Sequence, residues 1–118
     1  MIFNQKTPPK GTLRDWVDFR ADTMPDVVSH HFLTDGSQLT WSELREEARN
    51  VALRLTALDI AKGESVAICK PNSRNAIICL FGIFYGGFRA TPLNLAAGPA
   101  AMGHAISHSQ CNYLFLGK

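Results

Sequence analysis

The sequence predicts an α/β domain, a mainly parallel sheet in a three-layer arrangement with flanking helices, plus a small β-hairpin. Three observations carry this. The stretch from Ala61 to Leu95, AKGESVAICKPNSRNAIICLFGIFYGGFRATPLNL, reads strand, turn, helix, strand. Such a βαβ crossover places its two strands parallel and turns to the right. Asn112 to Leu116 (NYLFL) reads as a further buried strand behind a helical stretch, and Asp35-Gly36 sits between two short extended runs as a hairpin signal.

In chain order, Met1 to Gly11 carries two prolines, two lysines and a glycine without periodicity, so a flexible arm is expected over 1–11 and the α/β unit over 12–118. Thr12 stands as an N-cap with Asp15 in the first turn. Leu13, Trp16 and Val17 share a face, so a short amphipathic helix runs to about Ala21, with Pro25 beyond it. Val28 to Thr34 and Gln38 to Thr40 form the hairpin.

Thr40-Trp41-Ser42-Glu43 has the spacing of a capping box, in which hydroxyl and carboxylate each take one orphan N–H. Leu44, Ala48, Val51, Leu55 and Leu58 then recur at four- and three-residue steps, giving one apolar face, and the charged residues between them form a solvated one. Asp59 falls where a left-handed residue ends a helix, and Lys62-Gly63 turns the chain into the strand Ser65 to Cys69. Pro71 stops that strand, Asn72 or Ser73 caps the next helix, and Arg74 to Tyr85 is apolar enough to be buried on most sides. Gly86 and Gly87 end it before the extended run Arg89 to Leu93. A helix from about Pro99 follows, proline being favoured in a first turn.

At 118 residues the chain fits one small domain, and a chain of this length buries roughly two thirds of its unfolded surface. Its 46% hydrophobic and 19% charged residues are those of a soluble globular protein, and a net charge of +2 is too small to argue for nucleic acid or an acidic membrane as a partner, so no nucleic acid is expected. The three cysteines, Cys69, Cys79 and Cys111, are irregularly spaced, which fits free thiols in a reducing, cytoplasmic setting. The first residues lack the apolar core of a secretory signal, and the run Ala76 to Phe88 is too short to span a membrane.

Candidate chemistry is sparse. His104 and His108 would share a helix face, but no glutamate lies between them and Cys111 is the only nearby third ligand, so exposed histidines are expected rather than a metal site. His30 and His31 are adjacent in a strand and point to opposite faces. Gly82 and Gly86 form a G-x-x-x-G, read as close packing of the helix on the sheet. Trp16, Trp41, Phe19 and Phe32 are read as packing rather than a ligand-stacking set. No local nucleophile signature supports a Ser-His-Asp or Cys-His arrangement.

The ordered segments DGSQLTWSELREEARNVALRL, KGESVAICKPNSRNAIICLFGIFYGG, ATPLN and HAISHSQCNYLFL resemble the opening segment of the adenylate-forming (AMP-binding) ligase superfamily, most like its fatty acid and carnitine-type acyl-CoA synthetases. The likeness runs from Thr12 onward. It rests on the helix start at Leu39 to Leu44, the turn at Lys62 to Val66, Pro71 to Ser73 and Pro92 to Asn94. Asp59 replaces a usual glycine, Glu64 a usual aspartate, and Leu95 follows Asn94 where proline is common.

The resemblance implies a partial version of the larger ligase N-terminal domain. It also implies a parent enzyme that uses ATP, magnesium and CoA to convert a carboxylic acid into an acyl-adenylate and then a thioester. The family's phosphate loop, adenine segment, ribose aspartate and catalytic lysine have no counterpart in these residues, so no catalytic, cofactor-binding or metal-ligating residue is assigned. The expectation is a scaffold that is catalytically incompetent alone, its main partner the remainder of the ligase, with self-association through an open sheet edge. The rival is a stand-alone binding or interaction module. A flavodoxin-like nucleotide binder is disfavoured because no glycine-rich loop follows Ser65 to Cys69.

Overall fold

The computed structural model describes residues 11–69, 73–93, 98–109 and 113–116. The expected arm lies almost wholly outside them. Helix α1 spans Leu13–Thr23, strands β1 and β2 span Val28–His31 and Gln38–Thr40, and helix α2 spans Trp41–Ala57. Strand β3 (Ser65–Cys69), helix α3 (Arg74–Tyr85), strand β4 (Arg89–Pro92), helix α4 (Pro99–Ser109) and strand β5 (Tyr113–Leu116) complete the order.

Both N-terminal helices open on reciprocal caps. The Thr40 N–H donates to Glu43 Oε1 at 2.9 Å while the Glu43 N–H donates to Thr40 Oγ1 at 3.2 Å. Thr12 and Asp15 repeat the arrangement at 2.9 and 3.2 Å, a box that the sequence reading had only half seen. Helix α1 runs two residues past the expected Ala21. Helix α2 closes on Asp59 at φ 62°, the left-handed residue expected there. Leu58, expected on the apolar face, is 65% exposed because the helix ends at Ala57 and the closing turn rotates it outward.

Ser73 caps α3, its Oγ accepting from the Ala76 N–H at 3.2 Å. At the other end the Phe88 N–H reaches back to the Ile83 carbonyl at 3.0 Å across Gly87, whose φ of 84° suits glycine. Gly86 keeps right-handed helical geometry, so only one of the two glycines is needed for the turn.

Strands β4, β3 and β5 form a three-stranded sheet in that order, both pairings parallel. Val66 lies opposite Ala90 on one side and Tyr113 on the other. The chain therefore moves one way from β3 to β4 and then crosses back over β3 to β5. Right-handed crossovers in opposite directions place α3 and α4 on opposite faces. The burial agrees. Val66 and Ile68 enter the main core with Leu44, Leu55, Ile78 and Ile83, whereas Ala67, pointing the other way, meets Met102 and Ala105 of α4.

Helix α2 lies on α3, and α1 closes over both through Val17, Ala48, Ala52 and Tyr85. Here one expectation is corrected. Gly82 packs on a helix rather than on the sheet, since a Cβ there would meet Val51 of α2 and the Ala48 carbonyl. Gly86 likewise approaches Phe88 and Ala52.

The hairpin is shorter than expected on one side. Strand β1 stops at His31, with a bulge between Val28 and His30, and the loop closes by Phe32 N–H to Ser37 carbonyl at 2.9 Å. Gly36 takes φ 74° and Asp35 Oδ1 accepts from the Ser37 N–H and hydroxyl at 2.9 and 2.7 Å, so Asp35-Gly36 shapes a longer loop instead of a two-residue turn.

Candidate functional site

A cleft of about 460 Å³ lies between the hairpin loop and the first turn of α3. Because α3 follows β3, this is the carboxyl end of the parallel strands, where open α/β sheets take ligands. Its apolar wall comes from Phe32, Leu33 and Ile77, its polar groups from His30, Asp35 and Arg74.

His30 is half-buried, its ring edge-on to Phe81 at 5.4 Å and nearly parallel to Phe32 at 6.3 Å. That burial holds its pKa below the ordinary 6.5. His31 is exposed, so the pair do present different environments, although both border the cleft.

The polar groups are already committed to local structure. The Ser29 hydroxyl donates to the Leu39 carbonyl at 3.1 Å, so toward His30 Nδ1, 3.1 Å away, it acts as acceptor. A serine whose proton goes to a carbonyl is not activated by the neighbouring imidazole. The backbone N–H and hydroxyl of Ser37 hold the Asp35 carboxyl below its ordinary 3.8, and Thr40 holds Glu43 below 4.5 in the same way. Neither carboxylate is poised as an acid or base near neutral pH.

A second cleft, about 320 Å³, runs between α2 and α3 past Glu47, Asn50, Arg54 and Asn75. The third, about 220 Å³, lies at the opposite end of α3 and is lined by Arg14, Arg49, Lys62 and Tyr85. The sequence reading gave these basic residues no joint role, for they come from separate elements and no local pattern links them.

The other sequence candidates scatter. Trp16 meets Phe19 edge-on at 6.0 Å, Phe32 stacks near His30, and Arg20 lies 5.9 Å over Trp41, so the aromatics form no single platform. His104 is exposed on α4; the His108 side chain and Cys111 lie outside the described residues, among which no group of three potential metal ligands gathers. Cys79 is buried. No described helix is long and apolar enough to cross a membrane.

Gly86-Gly87 lies at the carboxyl end of α3, where carbonyls rather than N–H groups face outward.

The fold defines a class first, a doubly wound α/β unit with order β4-β3-β5 and helices on both faces. Comparison with known proteins then supplies the family. Residues 17–118 match the AMP-binding enzymes, and the chain belongs to that family. It is 32% identical over 81 residues to the acyl-CoA ligase sidI of Aspergillus fumigatus, covering 69% of this chain and 14% of that one. It is 27% identical over 104 residues to the 2-succinylbenzoate–CoA ligase of Bacillus licheniformis, covering 88% and 21%. The inhibitor-bound N-terminal domain of FACL13 from Mycobacterium tuberculosis superposes with a TM-score of 0.82 at 25% identity, over 89% of this chain and 26% of that domain. The chain thus spans about a quarter or less of these relatives, and corresponds to an N-terminal piece of an adenylate-forming ligase.

Proposed function

We propose that this chain serves as the N-terminal scaffold of an ATP-dependent carboxylate–CoA ligase and that it does not form an acyl-adenylate by itself. One observation carries the reading: a complete β3-α3-β4-α4-β5 unit superposes on only 26% of a ligase N-terminal domain. The carboxylates of Asp15, Asp35 and Glu43 are spent on caps and a turn. In the parent, ATP would activate a carboxylic acid with loss of pyrophosphate, and CoA would displace AMP, on residues outside this chain. The compartment this reading fits is the cytoplasm, in keeping with three cysteines at irregular spacing.

The test is carboxylate-dependent exchange of labelled pyrophosphate into ATP by the purified chain, with calorimetric titration of ATP and magnesium alongside. Neither exchange nor saturable heat is expected. Turnover, or stoichiometric ATP binding, would show that the nucleotide site needs nothing beyond these residues and would overturn the proposal.

A second reading rests on the sheet edges. Among the described residues β4 and β5 each pair on one side only, and an uncovered parallel edge can capture another strand. Sedimentation across a concentration series separates the two: self-association favours the interaction module, a concentration-independent monomer the scaffold.

A further inference from the structure

We infer that the small cleft at the carboxyl end of α3 is an anion site for a phosphoryl group, independent of any ligase chemistry. Three cations from three separate elements line it: Arg14 of α1, Arg49 of α2 and Lys62 of the turn before β3. Like charges gathered into one concavity repel, and the two carboxylates that act on them, Asp18 and Asp22, are shared with Tyr85 and Arg45. Asp18 accepts the Tyr85 hydroxyl at 2.6 Å and pairs with Arg14, whose Nε lies 3.9 Å away.

The existing contacts of the cations are mostly with neutral groups. Arg14 lies 4.9 Å over the Tyr85 ring and Lys62 lies 5.0 Å over the Phe88 ring. Arg49 Nη2 donates to Tyr85 Oη at 3.4 Å, and Lys62 Nζ donates to the Gly86 carbonyl. That last bond matters for sign. The carboxyl end of a helix carries partial negative charge, and α3 has no basic residue in its own last turn. Lys62 offsets that charge from outside, leaving the two guanidiniums as the field an incoming anion meets.

Size and donor geometry select the ligand class. A cleft of about 220 Å³ is below the roughly 300–1,000 Å³ of sites that enclose drug-sized molecules. It admits a single compact group, not a whole nucleoside. Each guanidinium carries five donors in a planar fork and the ammonium three. A carboxylate can occupy one fork, whereas a tetrahedral dianion offers oxygens to two forks together. The site is at the opposite end of α3 from the hairpin cleft, so it is separate from the carboxyl edge of the sheet.

The experiment is a titration of the isotopically labelled chain with sodium phosphate against sodium chloride at matched ionic strength, read from backbone amide shifts. Glycerol phosphate runs in parallel to distinguish free phosphate from a phosphomonoester. Saturable shifts clustered at residues 14, 49, 62 and 85, weakened about tenfold or more in Arg49→Gln, are expected from loss of a charge-assisted pair. Arg14→Gln repeats the test at a side chain 58% exposed, so it decides the matter if Arg49→Gln fails to fold. Equal shifts with chloride, no saturation, or affinity unchanged in the folded variants would overturn the site.

Discussion

Gly82 of α3 lies so close to Val51 of α2 that a methyl group added to the glycine would sit 2.4 Å from Val51 Cβ and 2.5 Å from its Cγ1. No carbon pair tolerates that separation, so the two helices approach at a distance that only glycine permits. With Val51, Leu55, Ile78 and Ile83 in one core cluster, this contact fixes how α2 seats on the sheet side of the molecule.

Gly82→Ala is therefore expected to destabilise despite alanine's better helix propensity. Overpacking costs about 1–3 kcal/mol, against which alanine recovers at most about 1 kcal/mol. Chemical denaturation measures the net loss. Adding Val51→Ala should make the double variant more stable than the sum of the single effects, because each change makes room for the other. Strict additivity would mean the helices simply separate.

Thr40 supplies a different kind of anchor, joining the hairpin to α2. Thr40→Ala removes the oxygen that receives the Glu43 N–H and frees the returning carboxylate. A loss of about 1 kcal/mol is expected for such a cap. Thr40→Ser keeps the oxygen and should retain most of the stability. Hydrogen exchange of the first α2 amides locates the effect: faster exchange confined to that turn is the expected pattern.

These two cases show which features were legible in advance. A cap is written in neighbouring residues, so Thr40 with Glu43 and the left-handed Asp59 could be read directly, and the cap of α3 could be narrowed to Asn72 or Ser73. The parallel strands were legible because the apolar run Ser65–Cys69, the helix and Arg89–Pro92 follow one another with their breakers between. What Gly82 touches was not, because G-x-x-x-G announces a close approach without naming the neighbour, and α2 competes with the sheet for that face. Leu58 was misplaced by continuing the apolar period one step past the end of the helix. The basic cleft was invisible for a related reason: Arg14, Arg49 and Lys62 meet only after α1, α2 and the turn before β3 have packed.

His30 makes stability depend on pH in a window of its own. Burial against Phe81 and Phe32 depresses its folded pKa below 6.5, so the unfolded chain binds more protons just below that value. Stability is full above pH 6.5 and falls as pH drops from there toward the lower folded pKa. The charged neighbours bordering the same cleft are His31, Asp35 and Arg74. A second loss begins only below about 4.5, because Glu43, Asp15 and Asp35 all have depressed pKa values from ordinary ones of 4.5, 3.8 and 3.8. Denaturation midpoints of the chain and of His30→Gln across about pH 2 to 8 check this: the variant should lose the upper slope and keep the lower one.

Asp59 offers the opposite outcome, a substitution that strengthens the fold. It is the only non-glycine residue among those described with positive φ, at 62°, and it ends α2 where the chain turns toward β3. An L side chain in that region strains against its own backbone, aspartate less than most. The neighbouring bonds hold it there: the Asp59 N–H donates to the Thr56 carbonyl at 3.0 Å and the Ile60 N–H to the Leu55 carbonyl at 3.4 Å. Glycine adopts this conformation without a steric penalty but gives the unfolded chain more freedom, so the two effects oppose. The strain relieved outweighs the entropy, and Asp59→Gly should raise stability by up to about 1 kcal/mol. Asp59→Val, β-branched in a left-handed site, should lower it. Thermal and urea midpoints for the pair distinguish backbone strain from charge, since both variants remove the carboxylate and only their conformational demands differ.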